Sequence, residues 1–233
     1  MTALSKKILL SVICLIVLSH LSSRLQAVEE VRYPAESFAK LDTFEALNLE
    51  DADKLFLKKD YKGAYAAYKA YSLEFARSPA LGYVLLRMGR CLHLLDKRNH
   101  AIRSYREVVD YFPDDVPYAA AALYFMGKCH EQNGEDAKQV AVWAELVKDD
   151  EYVLQPNSGS ALTFLGKAME KLEKFDDAAE YHWRTAVAFA KSNERAAQSA
   201  RASVFHHYVR RKPNHDKLKE FFIATNAFGD RQG

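Results

Sequence analysis

Apolar residues recur at steps of three and four along most of this chain, the spacing that lines one face of an α-helix. The segment HAIRSYREVVDYFP, from His100 to Pro113, puts its apolar residues on one side and stops at a proline. The segments GAYAAYKAYSLEFARSP (Gly63 to Pro79) and FDDAAEYHWRTAVAFA (Phe175 to Ala190) have the same character. The pattern predicts a series of amphipathic helices, none of which can bury its apolar stripe alone.

Aligning the glycines shows that the helices come in copies. LLRMGRCLHLL (Leu85 to Leu95), LYFMGKCHEQNG (Leu123 to Gly134) and LTFLGKAMEKLEKF (Leu162 to Phe175) share one frame: an apolar residue, Met or Leu three later, then glycine. Gly89, Gly127 and Gly166 are 38 and 39 residues apart, and Ala52 stands 37 residues before Gly89. A second helix follows each, with a small residue and, four later, a large ring: Ala64 and Tyr68, Ala101 and Tyr105, Ala178 and His182. In the third copy Gln139 replaces the small residue and Trp143 keeps the large one. A side chain at the glycine would hold the paired helices apart. Stacking about three or more such pairs buries a continuous core.

This frame resembles the tetratricopeptide repeat over roughly residues 45–190. The resemblance implies an all-α, right-handed α-α superhelix of about five helix pairs. The spacing exceeds the usual 34-residue period, so longer connecting turns are expected. The junction YFPDDVPYAAAALYFMGK (Tyr111 to Lys128) is also similar to envelope tetratricopeptide proteins of Gram-negative bacteria, namely outer-membrane assembly lipoproteins and periplasmic partners of the Tol–Pal system. Residues 28–44 form a lead segment that either folds back over the first unit or stays loose. Residues 45–190 hold about four repeats, 191–228 a terminal helix pair broken at Pro213, and 229–233 a frayed tail. Val204, Phe205, Leu218, Phe221 and Phe222 suit a cap on the stack. Asp114 and Asp115 are placed to cap the helix that Pro117 opens, and Asn157 and Ser158 the helix of Gly166.

Residues 1–27 differ in kind. Lys6 and Lys7 precede the apolar run ILLSVICLIVL (Ile8 to Leu18), and Ala27 supplies a small residue beyond it. The order reads as a secretory signal peptide, with an uncleaved N-terminal anchor as the other reading. VIC at Cys14 lacks the small residue that lipoprotein signals place before the cysteine. Cleavage takes three of the 33 basic side chains and none of the 31 acidic ones, leaving 30 against 31 and a net charge of −1. A near-neutral chain is not a general nucleic-acid binder. The mature cysteines, Cys91 and Cys129, sit two residues after successive glycines. Neighbouring helices pack about 8–10 Å apart, whereas a disulfide needs Cα atoms within about 7 Å. They read as two thiols.

Little in the chain points to chemistry. His206 and His207 are adjacent, so on a helix they diverge by about 100°, and His215 is too far along to complete a metal site. No Ser/His/Asp set, phosphate loop or paired-carboxylate motif stands out, and neither a cofactor nor a metal is expected. Asp176 and Asp177 read as first-turn helix charges. Tyr61, Tyr65, Tyr68 and Tyr71 recur at helical spacing, as packing residues do. The resemblance implies that the first helix of each pair lines a concave groove and that the residue after each glycine faces it. Those residues are Arg90, Lys128 and Lys167, with Asp53 in the first unit, and Tyr83 and Tyr124 lie beside them. Either they form a basic stripe for an acidic or extended segment of a protein partner, or they merely solvate an open face, with Glu131 and Glu170 neutralising Lys128 and Lys167. The expected function is a non-enzymatic interaction scaffold in the periplasm or cell envelope. A peptidoglycan-binding accessory, or a regulator of a wall enzyme, is the second reading.

Overall fold

The computed structural model describes residues 30–189 and 194–225. The signal-peptide reading and the frayed tail both lie outside those residues. From Val31 onward the described residues form one all-helical body. It holds ten α-helices: α1 (Thr43–Leu57), α2 (Tyr61–Glu74), α3 (Leu81–Leu94), α4 (Arg98–Tyr111), α5 (Val116–Gln132), α6 (Asp136–Lys148), α7 (Ser158–Lys171), α8 (Phe175–Ala188), α9 (Glu194–His206) and α10 (His215–Ala224). From α1 to α9 each packs on the next, and α10 follows through the helical turn His207–Arg211. The first helices of adjacent pairs, α3 with α5 and α5 with α7, also touch. This is the solenoid of five pairs that the repeat predicts. None of the described helices is long and apolar enough to cross a membrane.

The glycines do the work that their spacing implies. A Cβ at Gly89 would stand 2.6 Å from the Tyr105 ring, and one at Gly166 would stand 2.5 Å from the His182 imidazole. At Gly127 it would overlap the Trp143 indole. Each large side chain of a second helix therefore lies flat on the bare backbone of its partner. It then reaches the next unit: Tyr105 stacks on Phe125 at 5.9 Å between ring centroids, and Trp143 meets Phe164 edge-on at 4.8 Å. Ala64, Ala101 and Ala178 are buried, as close helix contact requires. Tyr105 and Trp143 are almost wholly enclosed, which contributes about 1.5–3 kcal/mol for each side chain.

The turn inside each pair repeats too. Lys59, Asp96, Gly134 and Glu173 have φ of 64°, 60°, 71° and 57°, and each lies seven residues after Ala52, Gly89, Gly127 or Gly166. The next N–H reaches back to a carbonyl five residues earlier: Asp60 to Leu55, Lys97 to Leu92, Glu135 to His130 and Lys174 to Met169, at 2.9–3.0 Å. This left-handed stop closes the helix and reverses the chain. Only the third unit fills the left-handed position with glycine, the residue that adopts it at no steric cost.

The turns between pairs carry the extra length. Between α6 and α7 a 3₁₀ turn, Tyr152–Leu154, is held by Tyr152 Oη donating to the Pro113 carbonyl at 2.5 Å and by Ser158 Oγ donating to the Tyr152 carbonyl at 2.7 Å. Two expected caps are not made. Asp115 and Asn157 occupy the N-cap positions of α5 and α7, but neither side chain makes a cap bond. The Asp115 carboxylate lies over Gly82 instead, and Ser158 turns to Tyr152.

The terminal pair packs through Val204, Ala200 and Phe221 on Ala186, with Trp183 and Tyr208 beside them. Phe205, expected in that cap, is 47% exposed, because Val204 takes the inward position and the adjacent residue turns away. Asp176, in the first turn of α8, reaches across to Lys212 Nζ at 2.7 Å and to His207 Nε2 at 3.1 Å.

Candidate functional site

The first helices α1, α3, α5 and α7 follow one another as a row, with α3 touching α5 and α5 touching α7. Asp53 on α1 reaches α3: its carboxylate accepts from Tyr83 Oη at 2.8 Å and from Tyr68 Oη of its own unit. Arg87 Nε donates to Tyr83 Oη at 2.8 Å, and its guanidinium lies 4.2 Å from the Phe56 ring centroid. Burial, together with the nearby Asp53 charge, raises the Tyr83 and Tyr68 hydroxyls well above the usual phenol range, so both stay protonated and donate. Asp53 is thus a structural acceptor between units, and Arg87 is the cation that the sequence reading passed over. Its position four residues after Tyr83, one helical turn on, was the available signal.

The three cations do not form one open stripe. Arg90 is 7% exposed and covered by Phe125, with its guanidinium carbon 4.0 Å from the ring centroid. One of its N–H groups lies 3.2 Å from His93 Nδ1. His93 Nε2 lies 3.0 Å from the Gln132 amide oxygen, which only accepts. That assigns the proton to Nε2 and leaves Nδ1 to accept from Arg90. Lys128 is half-buried and paired with Glu131 on its own helix, whereas Lys167 is exposed. Glu170 is turned to His182 Nε2 at 3.2 Å. Tyr83 is fully buried, and Tyr124 is 6% exposed with Trp143 stacked on it at 5.7 Å. The row therefore grades from sealed at Arg90 to open at Lys167. The seal is made by Phe125, thirty-five residues away in the next unit.

The lead segment folds back over the row. Residues Ala35–Lys40 form a 3₁₀ helix, and Tyr33 and Leu41 are buried at its two ends. The Tyr33 ring lies 5.5 Å from that of Tyr83 and 5.1 Å from Phe38, and Tyr83 lies 5.6 Å from Tyr118 on α5. Burial raises the Tyr33 hydroxyl, and Glu45 on α1 and Asp115 before α5 raise it further. Tyr33 thus packs on Tyr83, in the first turn of α3.

A cavity of about 310 Å³ lies between α8 and α9, lined by His182, Ser199, Ser203, His206, His207 and Arg211, among others. It falls where the interlocking of units changes: Tyr105 and Trp143 each meet a phenylalanine of the next first helix, whereas α9 presents Ser199 and Ser203 to His182. Cys91 and Cys129 are both buried thiols, and burial pushes the Cys129 thiol up to about 12, so it is not a nucleophile at neutral pH.

No family model and no curated protein matches this chain. Solved structures do. The nearly identical TPR-like repeats of a kinesin light chain from Podospora anserina share 14% identity, with a TM-score of 0.50 over 80% of this chain and 96% of that one. MamA gives 19% identity and a TM-score of 0.48 over 80% and 92%. A tetratricopeptide repeat protein from Parabacteroides merdae gives 15% and 0.48 over 83% and 76%. The first of these likenesses places the fold among tetratricopeptide-type solenoids, and it says nothing more about this chain.

Proposed function

We propose that this chain is a non-enzymatic adaptor of the bacterial cell envelope that holds a protein partner along its row of first helices. The observation that carries the reading is the continuity of that row. α3 packs on α5 and α5 on α7, and along them the position after each glycine opens from the sealed Arg90 through the half-buried Lys128 to the exposed Lys167. A row of this kind offers an extended segment several contacts at once and needs no cofactor. The exported location rests on the charged, apolar, small-residue order of residues 1–27. The envelope partner class, of the outer-membrane assembly or Tol–Pal-associated type, rests on the likeness of the Tyr111–Lys128 junction.

In-cell crosslinking followed by identification of the captured protein tests the reading, with N-terminal sequencing of the native chain beside it. An envelope protein captured by a chain that starts near Val28 supports it. Capture of purified wall sacculi with no protein would favour the peptidoglycan accessory. A product of turnover found with the purified chain would overturn the adaptor.

A further inference from the structure

The segment lying on the row shows what the row accepts. Val31 to Pro34 approaches as extended chain: Pro34 has φ −64° and ψ 137°, and only the Tyr33 side chain is buried, between an exposed Arg32 and an exposed Pro34. Tyr33 enters an aromatic slot walled by Tyr83, with Tyr118 behind it, at the N-terminal ends of α3 and α5. The surroundings are acidic. Glu45 and Asp115 act on Tyr33, and Asp53 accepts from Tyr83 on the slot's inner side. Glu45 is occupied internally, accepting from Tyr71 Oη at 2.8 Å. Burial, with Asp114 beside it, holds the Asp115 carboxyl above its usual range.

We infer that this slot is the specificity pocket of the binding row, that it recognises an extended segment of a protein partner carrying a tyrosine followed by a proline, and that Tyr33-Pro34 occupies it until such a segment displaces it. The inference rests on the adaptor reading and adds the partner's chemistry to it. Affinity in the slot comes from one buried aromatic anchor, as at protein interfaces generally. The tethered segment competes at high effective concentration, so an untethered ligand binds the native chain weakly.

The probe is a labelled synthetic peptide of residues 31–41, VRYPAESFAKL, titrated into the full chain and into its Tyr33→Ala variant. The variant binds the peptide at least tenfold more tightly than the native chain does. A peptide with alanine in place of its tyrosine binds neither. Should Tyr33→Ala fail to fold, Leu41→Ala, which removes the segment's other buried anchor, is expected to show the same gain. Equal affinity for native and variant chains, or no binding to any of them at about millimolar peptide, overturns the proposal. The adaptor reading is judged separately, by capture from α7, one unit beyond the slot. Capture that persists without any peptide preference removes the slot and leaves the adaptor.

Discussion

Trp143 lies across Gly127 so closely that no side chain fits between them, and its indole Nε1 donates to the Tyr124 carbonyl at 3.1 Å. The hydrogen bond fixes the ring, so it cannot swing aside to admit a larger residue. Gly127→Leu is therefore expected to separate α5 from α6 and to lower stability by at least the 1–3 kcal/mol typical of overpacking, about that amount by analogy with other cores. Thermal unfolding of the variant checks this, and an unchanged midpoint would count against the frame.

The left-handed stop in the fourth unit is filled by Glu173 at φ 57°. A side chain there costs about 1–2 kcal/mol, while glycine gives back part of the gain as unfolded-state entropy. Glu173→Gly should raise stability by about 0.5–1 kcal/mol, read as a higher denaturant midpoint at an unchanged slope. Gly134→Ala, the reverse change at the matching turn, should lower it.

Asp53 accepts from two buried tyrosines and faces Arg87, whose side chain is 4% exposed, at 4.0 Å. Asp53→Ala leaves that guanidinium buried without its carboxylate. Breaking such a pair costs about 3–5 kcal/mol, and Asp53 is partly open to water, so the lower end is expected. Chemical denaturation measures it, and a loss below about 1 kcal/mol would show the network to be incidental.

How much was legible follows from what each feature depends on. Gly89, Gly127 and Gly166 announced themselves because three copies share one frame, and their rings lie a fixed distance further along the chain. The burial of Arg90 was hidden because Phe125 does the covering, from a unit away, and Lys128 and Lys167 occupy the same frame position in other surroundings. Phe205 was misplaced by one position, since Val204 and Phe205 are equally apolar and only the packing of α9 on α8 chooses between them. Whether the lead segment folds back turned on Tyr33 finding Tyr83, fifty residues away, which no local pattern encodes.

The junction between α8 and the terminal pair should respond to acid. Burial holds both His182 and His207 below the usual 6.5, opposed in part by Glu170 and Asp176, and Lys167, Arg211 and Lys212 act in the same direction as burial. The folded state thus favours the neutral rings. Their contribution is complete above pH 6.5, where both states are neutral, and is lost as pH falls through the lower folded values. Hydrogen-exchange protection in α9 and α10, taken relative to the slower intrinsic exchange in acid, should fall below pH 6.5 before that of the α3–α6 region does. His182→Tyr, which places on Gly166 the ring that Tyr105 places on Gly89, should remove part of that response.

The central claim is that a protein partner lies along the row of first helices. Lys167 is the exposed member of that row, and Glu107 is exposed on a second helix, α4. A photoreactive amino acid placed at each position in cells distinguishes the two faces. Light-dependent capture of one protein from position 167, with none from 107, is the predicted result. Capture of that protein from 107 with none from 167 would contradict the account.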